Sequence, residues 1–162
     1  MALISDTGMR LSEALGLVWD DVNLDHKYPH IRVIPHPWRP LKTVGSKRLI
    51  PLVGAAYEAL QIMHRHRSTS FLFNSYTDET GCKGNSCSAA LNKWLKRHVS
   101  DAVIHSFRHS FRDRLRNAGL QSEMIDQLGV WSKQSVGQGY GHGYGLASLT
   151  NAMLYLTEEP RI

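Results

Sequence analysis

Several features of secreted and membrane proteins are missing from this sequence of 162 residues. It has only two cysteines, Cys82 and Cys87, whose spacing matches neither a disulfide framework nor a C-x-x-C redox motif, which favours a reducing compartment. No uncharged apolar run approaches the roughly 20 residues that a membrane span needs. The first residues, MALISDTGMR, lack the basic and apolar regions of a secretory signal. We therefore expect a folded cytoplasmic chain that contacts no membrane.

Internal repeats, low-complexity tracts and interdomain linkers are also absent, so we expect residues 1–162 to form a single domain. Hydrophobic spacing predicts that this domain is mainly α-helical with one small antiparallel sheet, an α+β class. Between residues 28 and 52, alternating β-branched residues flank a connection rich in proline, which is typical of a β-hairpin with a long basic loop. Helices are predicted over residues 7–18, 54–66, 87–99, 106–118, 121–128 and 146–156.

Acidic side chains are scarce in two parts of the chain, residues 26–50 and 93–116, although the net charge is only +5. Residues 1–25 contain five acidic side chains and one basic side chain, whereas residues 26–50 contain six basic side chains and no acidic one. Residues 93–116 contain seven Lys or Arg against two Asp. One such run is ordinarily a solvated helix face, but two runs in a small domain favour a surface for nucleic acid.

Residues at two helix starts are candidates for chemistry. Arg10 follows a turn, and taken alone it is better explained as a surface arginine paired with Glu13 or Glu58. His105 and Arg108 fall on the same face of a helix start, where both can converge on one anion. His105 and His109 have a zinc-ligand spacing, but no third ligand is suggested nearby, and a buried structural role is the favoured interpretation of His109. The same spacing rule predicts that Trp94 faces inward.

A glycine-rich segment over residues 128–145 carries two tyrosines beside Trp131. A phenol has a pKa of about 10 and is a poor nucleophile unless a base or nearby cations favour its phenolate. An ordinary glycine loop with packed aromatic side chains explains the segment equally well.

Four segments in this order resemble the catalytic domain of the tyrosine recombinase (phage integrase) family, from Leu3 to about Tyr144. They are TGMRLSEALGLVWDDV, LKTVGSKRLIPL, HSFRHSFRDRLRNAG and LGVWSKQSVGQGYGHG. The resemblance implies the fold of that domain and a set of catalytic residues. These are Arg10 with its supporting Glu13, Lys42 on the hairpin turn, His105, Arg108, Trp131 and the nucleophile Tyr140, with Tyr144 as its nearest rival. Trp131 stands where the family usually has histidine, and Val130 is an extra residue before it.

The resemblance also implies a reaction that needs neither a metal ion nor another cofactor. Tyr140 would attack a phosphodiester of double-stranded DNA, giving a 3′-phosphotyrosyl link and a free 5′-hydroxyl. Arg10 and Arg108 would neutralise the phosphate, and Lys42 would protonate the departing oxygen. His105 would bind the phosphate or help to take the tyrosine proton. The remaining cations are expected to follow the DNA backbone. They are Lys47, Arg48, Lys93, Lys96, Arg97, Arg112 and Arg114.

Members of the family usually carry an N-terminal core-binding domain, so we expect this chain to be the C-terminal catalytic part of a larger integrase. The implied setting is the nucleoid of a bacterium, with a prophage or another mobile element as the DNA that is integrated or excised. The full-length protein is expected to self-associate as a tetramer on DNA, and the helix at 146–157 is expected to dock in cis or in trans. Two alternatives stay open: a non-catalytic DNA-binding remnant, and a nicking-closing enzyme similar to type IB topoisomerases.

Overall fold

A computed structural model describes residues 1–131 and 143–158 of the chain. The described residues form seven α-helices and five short strands, which confirms the predicted mainly α-helical fold with a small antiparallel sheet. In chain order the elements are α1 (Ala2–Thr7), α2 (Leu11–Leu15), β1 (Val22–Asn23), β2 (His30–Val33), β3 (Arg48–Pro51), α3 (Gly54–Arg65), β4 (Thr77–Asp78), β5 (Gly81–Cys82), α4 (Gly84–Leu95), α5 (Ser106–Asn117), α6 (Ser122–Gly129) and α7 (Leu146–Glu158).

The main sheet has three antiparallel strands in the order β1-β2-β3. Ile31 pairs with Ile50 across β2 and β3, and both side chains are fully buried. Their neighbours in the register, Arg32 and Leu49, are exposed, as the alternation of side chains along a strand requires. Because β2 and β3 are joined by residues 34–47, the predicted long basic loop leaves this sheet at one end.

Apolar side chains form two core clusters, and α1 lies next to both. The first cluster joins α1 to the sheet, α3 and the end of α4, while the second joins α5, α6 and α7. Gly8 ends α1 with a φ of 60°, and a Cβ placed there would lie 2.3 Å from Phe111 of the second cluster. Only glycine combines this left-handed backbone with so close an approach. The turn after α1 therefore lies directly against α5.

Two predictions about side-chain burial were wrong. Trp94 is 45% exposed and stacks on His98, because Leu95 is the residue of that turn that enters the first core cluster. His109 is also exposed, because Phe111 fills the corresponding place inside α5. Helix α4 begins three residues before the predicted boundary of 87, and α1 was not predicted.

Helix α7 packs against its own chain in this structure of a single chain. Leu149, Met153 and Leu156 are buried in the second core cluster with α5 and α6. Leu154 and Tyr155, on the opposite face, are 44% and 64% exposed. The last described element is thus held in cis by its apolar face.

Cys82 and Cys87 are both free thiols. Within residues 1–131 and 143–158, no helix is long and apolar enough to cross a membrane. The same residues contain no cluster of three or more His, Cys, Asp or Glu side chains arranged to hold a metal ion.

Candidate active site

Arg10 is positioned by a carboxylate three residues further along the chain. It is the residue before α2, and its backbone N–H donates to Oε2 of Glu13 over 2.9 Å. Its guanidinium Nη1 donates to the other carboxylate oxygen over 2.9 Å and lies 3.5 Å from Oγ of Ser46. The start of the helix and the side chain of Arg10 are therefore fixed by the same carboxylate.

The carboxylate of Glu13 is shared with a second arginine, Arg48 of β3. Arg48 donates from Nη2 to Oε2 over 3.0 Å and from Nη1 to Oε1 over 3.3 Å. Its Nε donates to the backbone carbonyl of Leu128 over 2.8 Å. Burial alone would raise the pKa of Glu13, but the charges and hydrogen bonds of Arg48 and Arg10 outweigh it and hold that pKa below its ordinary value. Glu13 is consequently ionised and joins α2 to β3.

Arg108 lies on α5, and only 4% of the residue is exposed. Its two terminal nitrogens donate to the backbone carbonyls of Gly8 and Gly129, on opposite sides of the guanidinium. The ring of Trp131 lies 4.6 Å from the guanidinium carbon, a distance typical of a cation–π contact. Burial lowers the pKa of Arg108 to about 10, and the positive charge of Arg10 adds to that shift. The two arginines therefore lie within electrostatic range of each other.

His105 lies immediately before α5, and its solvent-accessible ring meets the ring of His109 edge-on at 4.8 Å. Partial burial is the largest cause that lowers the pKa of His105 below its ordinary value, and neighbouring positive charges lower it further. Those charges are on His109, Arg108, Arg10 and Lys42. The structure thus brings together cations that the sequence placed in three separate segments.

Lys42 is exposed on the connection between β2 and β3. Its positive charge contributes to lowering the pKa of His105. The short 3-10 helix Val44–Ser46 follows Lys42, and Oγ of Ser46 lies 3.5 Å from Nη1 of Arg10. Lys47, next in the sequence, is also exposed.

Val130 ends α6 in a left-handed conformation, with φ 54° and ψ 53°. Its N–H donates to the carbonyl of Asp126 over 2.7 Å, which closes the last turn of the helix. This backbone costs a β-branched residue about 1–2 kcal/mol. The reversal carries Trp131 across Gly129, where an added Cβ would lie 1.9 Å from the indole. Val130 is therefore the residue that turns Trp131 onto Arg108.

The exposed candidates for DNA contacts are Lys93, Lys96 and Arg97, at the end of α4 and just beyond it. Arg112 is partly covered, with its guanidinium carbon 5.5 Å from the Trp131 ring centroid and Nη2 3.8 Å from Oδ1 of Asp126. Two residues that were expected to contact DNA are instead engaged within the chain. Arg48 is turned inward onto Glu13, and Arg114 is bound to Ser5 and Asp6 of α1.

The inward position of Arg48 was not predicted. It could have been, because Arg48 stands two residues from the apolar Ile50 in a strand, and residues two apart in a strand share a face. Tyr140 lies outside the described residues. The hydroxyl of its rival, Tyr144, donates to the side-chain carbonyl of Gln121, and its backbone N–H and carbonyl both bind Gln127 over 2.8 Å.

Known proteins share this sequence pattern and fold. A family model described as the phage integrase family matches residues 1–145. A tyrosine recombinase XerC of Pelotomaculum thermopropionicum is 29% identical over 151 residues, which cover 85% of this chain and 46% of that protein. The Tn1549 transposon integrase, solved in complex with circular intermediate DNA, matches with a TM-score of 0.58 and 22% identity over 94% of this chain and 55% of that one. For the XerA recombinase the TM-score is 0.61 and the identity 18%, over 99% and 57% of the two chains.

The chain spans about half the length of these relatives. At these identities, the structural matches establish a common fold.

Removal of the Arg48 side chain is expected to lower the free energy of unfolding by about 3–5 kcal/mol, because Glu13 keeps a buried charge that has lost a partner. Urea denaturation of Arg48→Ala would measure this loss. The exposed neighbour provides the control: Lys47→Ala is expected to change stability by less than about 0.5 kcal/mol. Equal stabilities of the two variants would contradict the buried arrangement.

His105 is expected to titrate below the ordinary histidine pKa of about 6.5 in the free protein, and added sulfate is expected to raise its pKa by offsetting the nearby cations. NMR titration of the ring protons measures both values. Because the unfolded chain then binds the proton more readily, the contribution of His105 to stability is lost as the pH falls from above 6.5 through the folded pKa. His109→Gln is expected to shift the pKa of His105 upward, and an unshifted value in the wild type would oppose the arrangement.

Proposed function

The chain belongs to the phage integrase family, and on that premise we propose that it breaks and rejoins double-stranded DNA as a site-specific recombinase of the tyrosine type. The observation that carries the proposal is the convergence of cations around His105, whose pKa is lowered by partial burial and by the charges of Arg108, Arg10 and Lys42 among others. Cations that are held together against their mutual repulsion favour an anion between them. The anion that fits the family and the basic surface is a DNA phosphate.

In the first step that we propose, the phenol oxygen of Tyr140 attacks the scissile phosphorus. A phosphorus–oxygen bond to the tyrosine forms, the bond to the 5′ oxygen breaks, and the phosphate stays attached to the 3′ side of the cut strand. The proton of the tyrosine passes to His105 or to water, and the 5′ oxygen takes a proton from a general acid. The reverse reaction with the 5′-hydroxyl of another strand restores a phosphodiester and completes strand exchange without an external energy source.

Arg10 and Arg108 would stabilise the charge that develops on the non-bridging oxygens. A guanidinium offers two parallel N–H donors, which match two phosphate oxygens in a way that an ammonium cannot. Arg10 is held for this role by Glu13, and Arg108 by two backbone carbonyls and the Trp131 ring. Donors that are already oriented need no rearrangement as the reaction proceeds.

Lys42 would be the general acid for the 5′ oxygen. It stands on an exposed loop, so its ammonium can reach a DNA strand bound over the arginines. Trp131 has only an indole N–H and cannot transfer a proton, and its stacking on Arg108 supports an orienting role.

The exposed cations of α4 and of the hairpin would hold the DNA backbone around the reacting phosphate. They are Lys47, Lys93, Lys96 and Arg97. Contacts of this kind supply affinity that falls as salt is raised, and little sequence readout. Integration or excision of a mobile element, by a tetramer of the full-length protein, is the use we propose. The transposon integrase of the same fold, solved with circular intermediate DNA, supports it.

A duplex nicked beside the scissile phosphate tests the proposal, because the short 5′ strand diffuses away and traps the covalent complex. We expect the wild type to form a protein–DNA adduct, Tyr140→Phe to form none, and Tyr144→Phe to retain it, since the Tyr144 hydroxyl is engaged with Gln121. Adduct formation should persist in a metal chelator. Absence of an adduct with wild-type protein that binds DNA would favour a non-catalytic module, and relaxation of supercoils without strand exchange would favour a topoisomerase.

Replacement of Arg10 by lysine is expected to slow adduct formation roughly 100-fold to 1,000-fold at saturating protein, because the charge is kept but the planar pair of donors is lost. Single-turnover cleavage of the nicked duplex gives the rate. The matched control is Lys96→Ala, which should weaken DNA binding and lower the salt slope by about 1 while leaving the saturated rate near that of the wild type. A saturated rate of Arg10→Lys equal to wild type would contradict the role of Arg10.

A further inference from the structure

The loop that carries Lys42 is anchored at both of its ends by buried side chains. Ser46 is fully buried at one end, and Arg39 is 2% exposed at the other. Between them, Pro40, Lys42 and Thr43 are exposed. The residue proposed as the general acid therefore stands on a short exposed span whose two ends cannot move freely.

The anchor at Ser46 is part of the site already described. Its Oγ lies 2.9 Å from Oγ1 of Thr43 and 3.5 Å from Nη1 of Arg10. This end of the span is thereby tied to one of the phosphate-binding arginines.

The anchor at Arg39 lies against the end of α2. Its side chain passes over Gly16, where an added Cβ would lie 2.6 Å from Cβ and Nε of Arg39, so only glycine leaves it room. Nη1 donates to the carbonyl of Ile34 over 2.7 Å. Burial is the largest influence on Arg39 and lowers its pKa, and the negative charges of Asp21 and Glu13 act in the opposite direction. Two carboxylates thus only partly offset the burial of this guanidinium, whose Nε and Nη2 have no hydrogen-bond partner among the described residues.

Five further contacts hold the turn that precedes Pro40. His36 and Arg39 are joined by two backbone hydrogen bonds of 3.1 and 3.0 Å. Nε2 of His36 lies 2.7 Å from Oδ2 of the buried Asp21. Trp38 stacks on His36 with ring centroids 4.6 Å apart and donates its indole N–H to the carbonyl of Gly16 over 3.0 Å.

We propose that residues 36–39, here called the hairpin clamp, position Lys42 for proton transfer by fastening its loop to the end of α2. The inference rests on the proposed function and extends it, since the clamp lies outside the phosphate-binding residues. Arg10 immediately precedes α2, and Gly16, which immediately follows the helix, accepts the hydrogen bond of Trp38 in the clamp. The proposed general acid and the first arginine are therefore positioned by the two ends of the same short helix. His36, Trp38 and Arg39 are positioning residues that act through Lys42.

The size of the effect follows from chain statistics. Leu41, next to Lys42, is partly buried against the first core cluster, and we expect it to lose this place when the clamp is broken. The free span then runs from the end of β2 to Ser46 instead of from Pro40, and its length roughly doubles. The local concentration of a group on a flexible span falls with about the three-halves power of its length, so a doubling lowers it about threefold. We therefore expect His36→Ala to slow the proton-transfer step about threefold or more.

A pair of substrates separates positioning of the acid from general damage. In the nicked duplex, the 5′ bridging oxygen at the scissile phosphate is replaced by sulfur, which leaves as a thiolate and needs no proton because a thiol is far more acidic than an alcohol. Single-turnover cleavage of both duplexes is measured for wild type, Lys42→Ala, His36→Ala and His36→Gln. We expect Lys42→Ala and His36→Ala to be slow on the oxygen substrate and near wild type on the sulfur substrate. His36→Gln, which keeps a side-chain N–H donor for Asp21, should recover most of the rate.

Trp38→Phe provides a second variant in case His36→Ala fails to fold, because it removes only the N–H bond to Gly16 and keeps an aromatic ring. The same selective loss on the oxygen substrate supports the clamp. Equal slowing of the clamp variants on both substrates overturns the proposal. It is also overturned if the clamp variants cleave both substrates at the wild-type rate while Lys42→Ala is slow on the oxygen substrate alone. If wild type forms no adduct, or Lys42→Ala is not selective for oxygen, the proposed function or its general acid fails first, and the clamp with it.

Discussion

A single buried carboxylate determines how the candidate site is built. Both oxygens of Glu13 are occupied, one pair of hydrogen bonds coming from Arg10 and the other from Arg48. Arg48 also donates to the carbonyl of Leu128, so the same charge network reaches the end of α6, just before Trp131. One ionised group therefore fixes the positions of three elements relative to one another: the start of α2, strand β3 and the end of α6. Without it, two arginines would face each other in a partly dry environment with no counterion.

The site lies where the two core clusters meet, and this explains why its residues are so far apart in sequence. Arg10 belongs to the helix that begins beside the first cluster, whereas Arg108 projects from α5 of the second. Arg108 donates to Gly129 of α6, within the second cluster, and to Gly8, at the end of the α1 helix of the first cluster, so the bond to Gly8 joins the two clusters. A displacement of one cluster relative to the other would change the separation of the two guanidinium groups. Packing of the apolar cores consequently determines the geometry of the candidate site.

Much of this arrangement could be predicted from the sequence, and what could not has physical causes. The hairpin and the boundaries of α3 and α5 follow from local spacing, whereas the grouping of Arg10, His105 and Arg108 was implied by the resemblance to the integrase family. The orientation of Trp94 could not be predicted, because Leu95 and Trp94 compete for the same interior and only tertiary packing decides between them. Burial of Arg39 could not be predicted either, because no local pattern connects it to Glu13 and Asp21, the carboxylates that favour its charged form.

The lowered pKa of Arg108 has a consequence for how this fold is maintained. Folding buries this guanidinium and brings it near Arg10 and Arg48, and both effects disfavour its charged form, while Glu13 partly offsets them. An anion bound beside it would offset this unfavourable charge, and by reciprocity an anion that prefers the folded protein stabilises the native state. On the function proposed above, a DNA phosphate would therefore stabilise the folded domain as well as occupy its site.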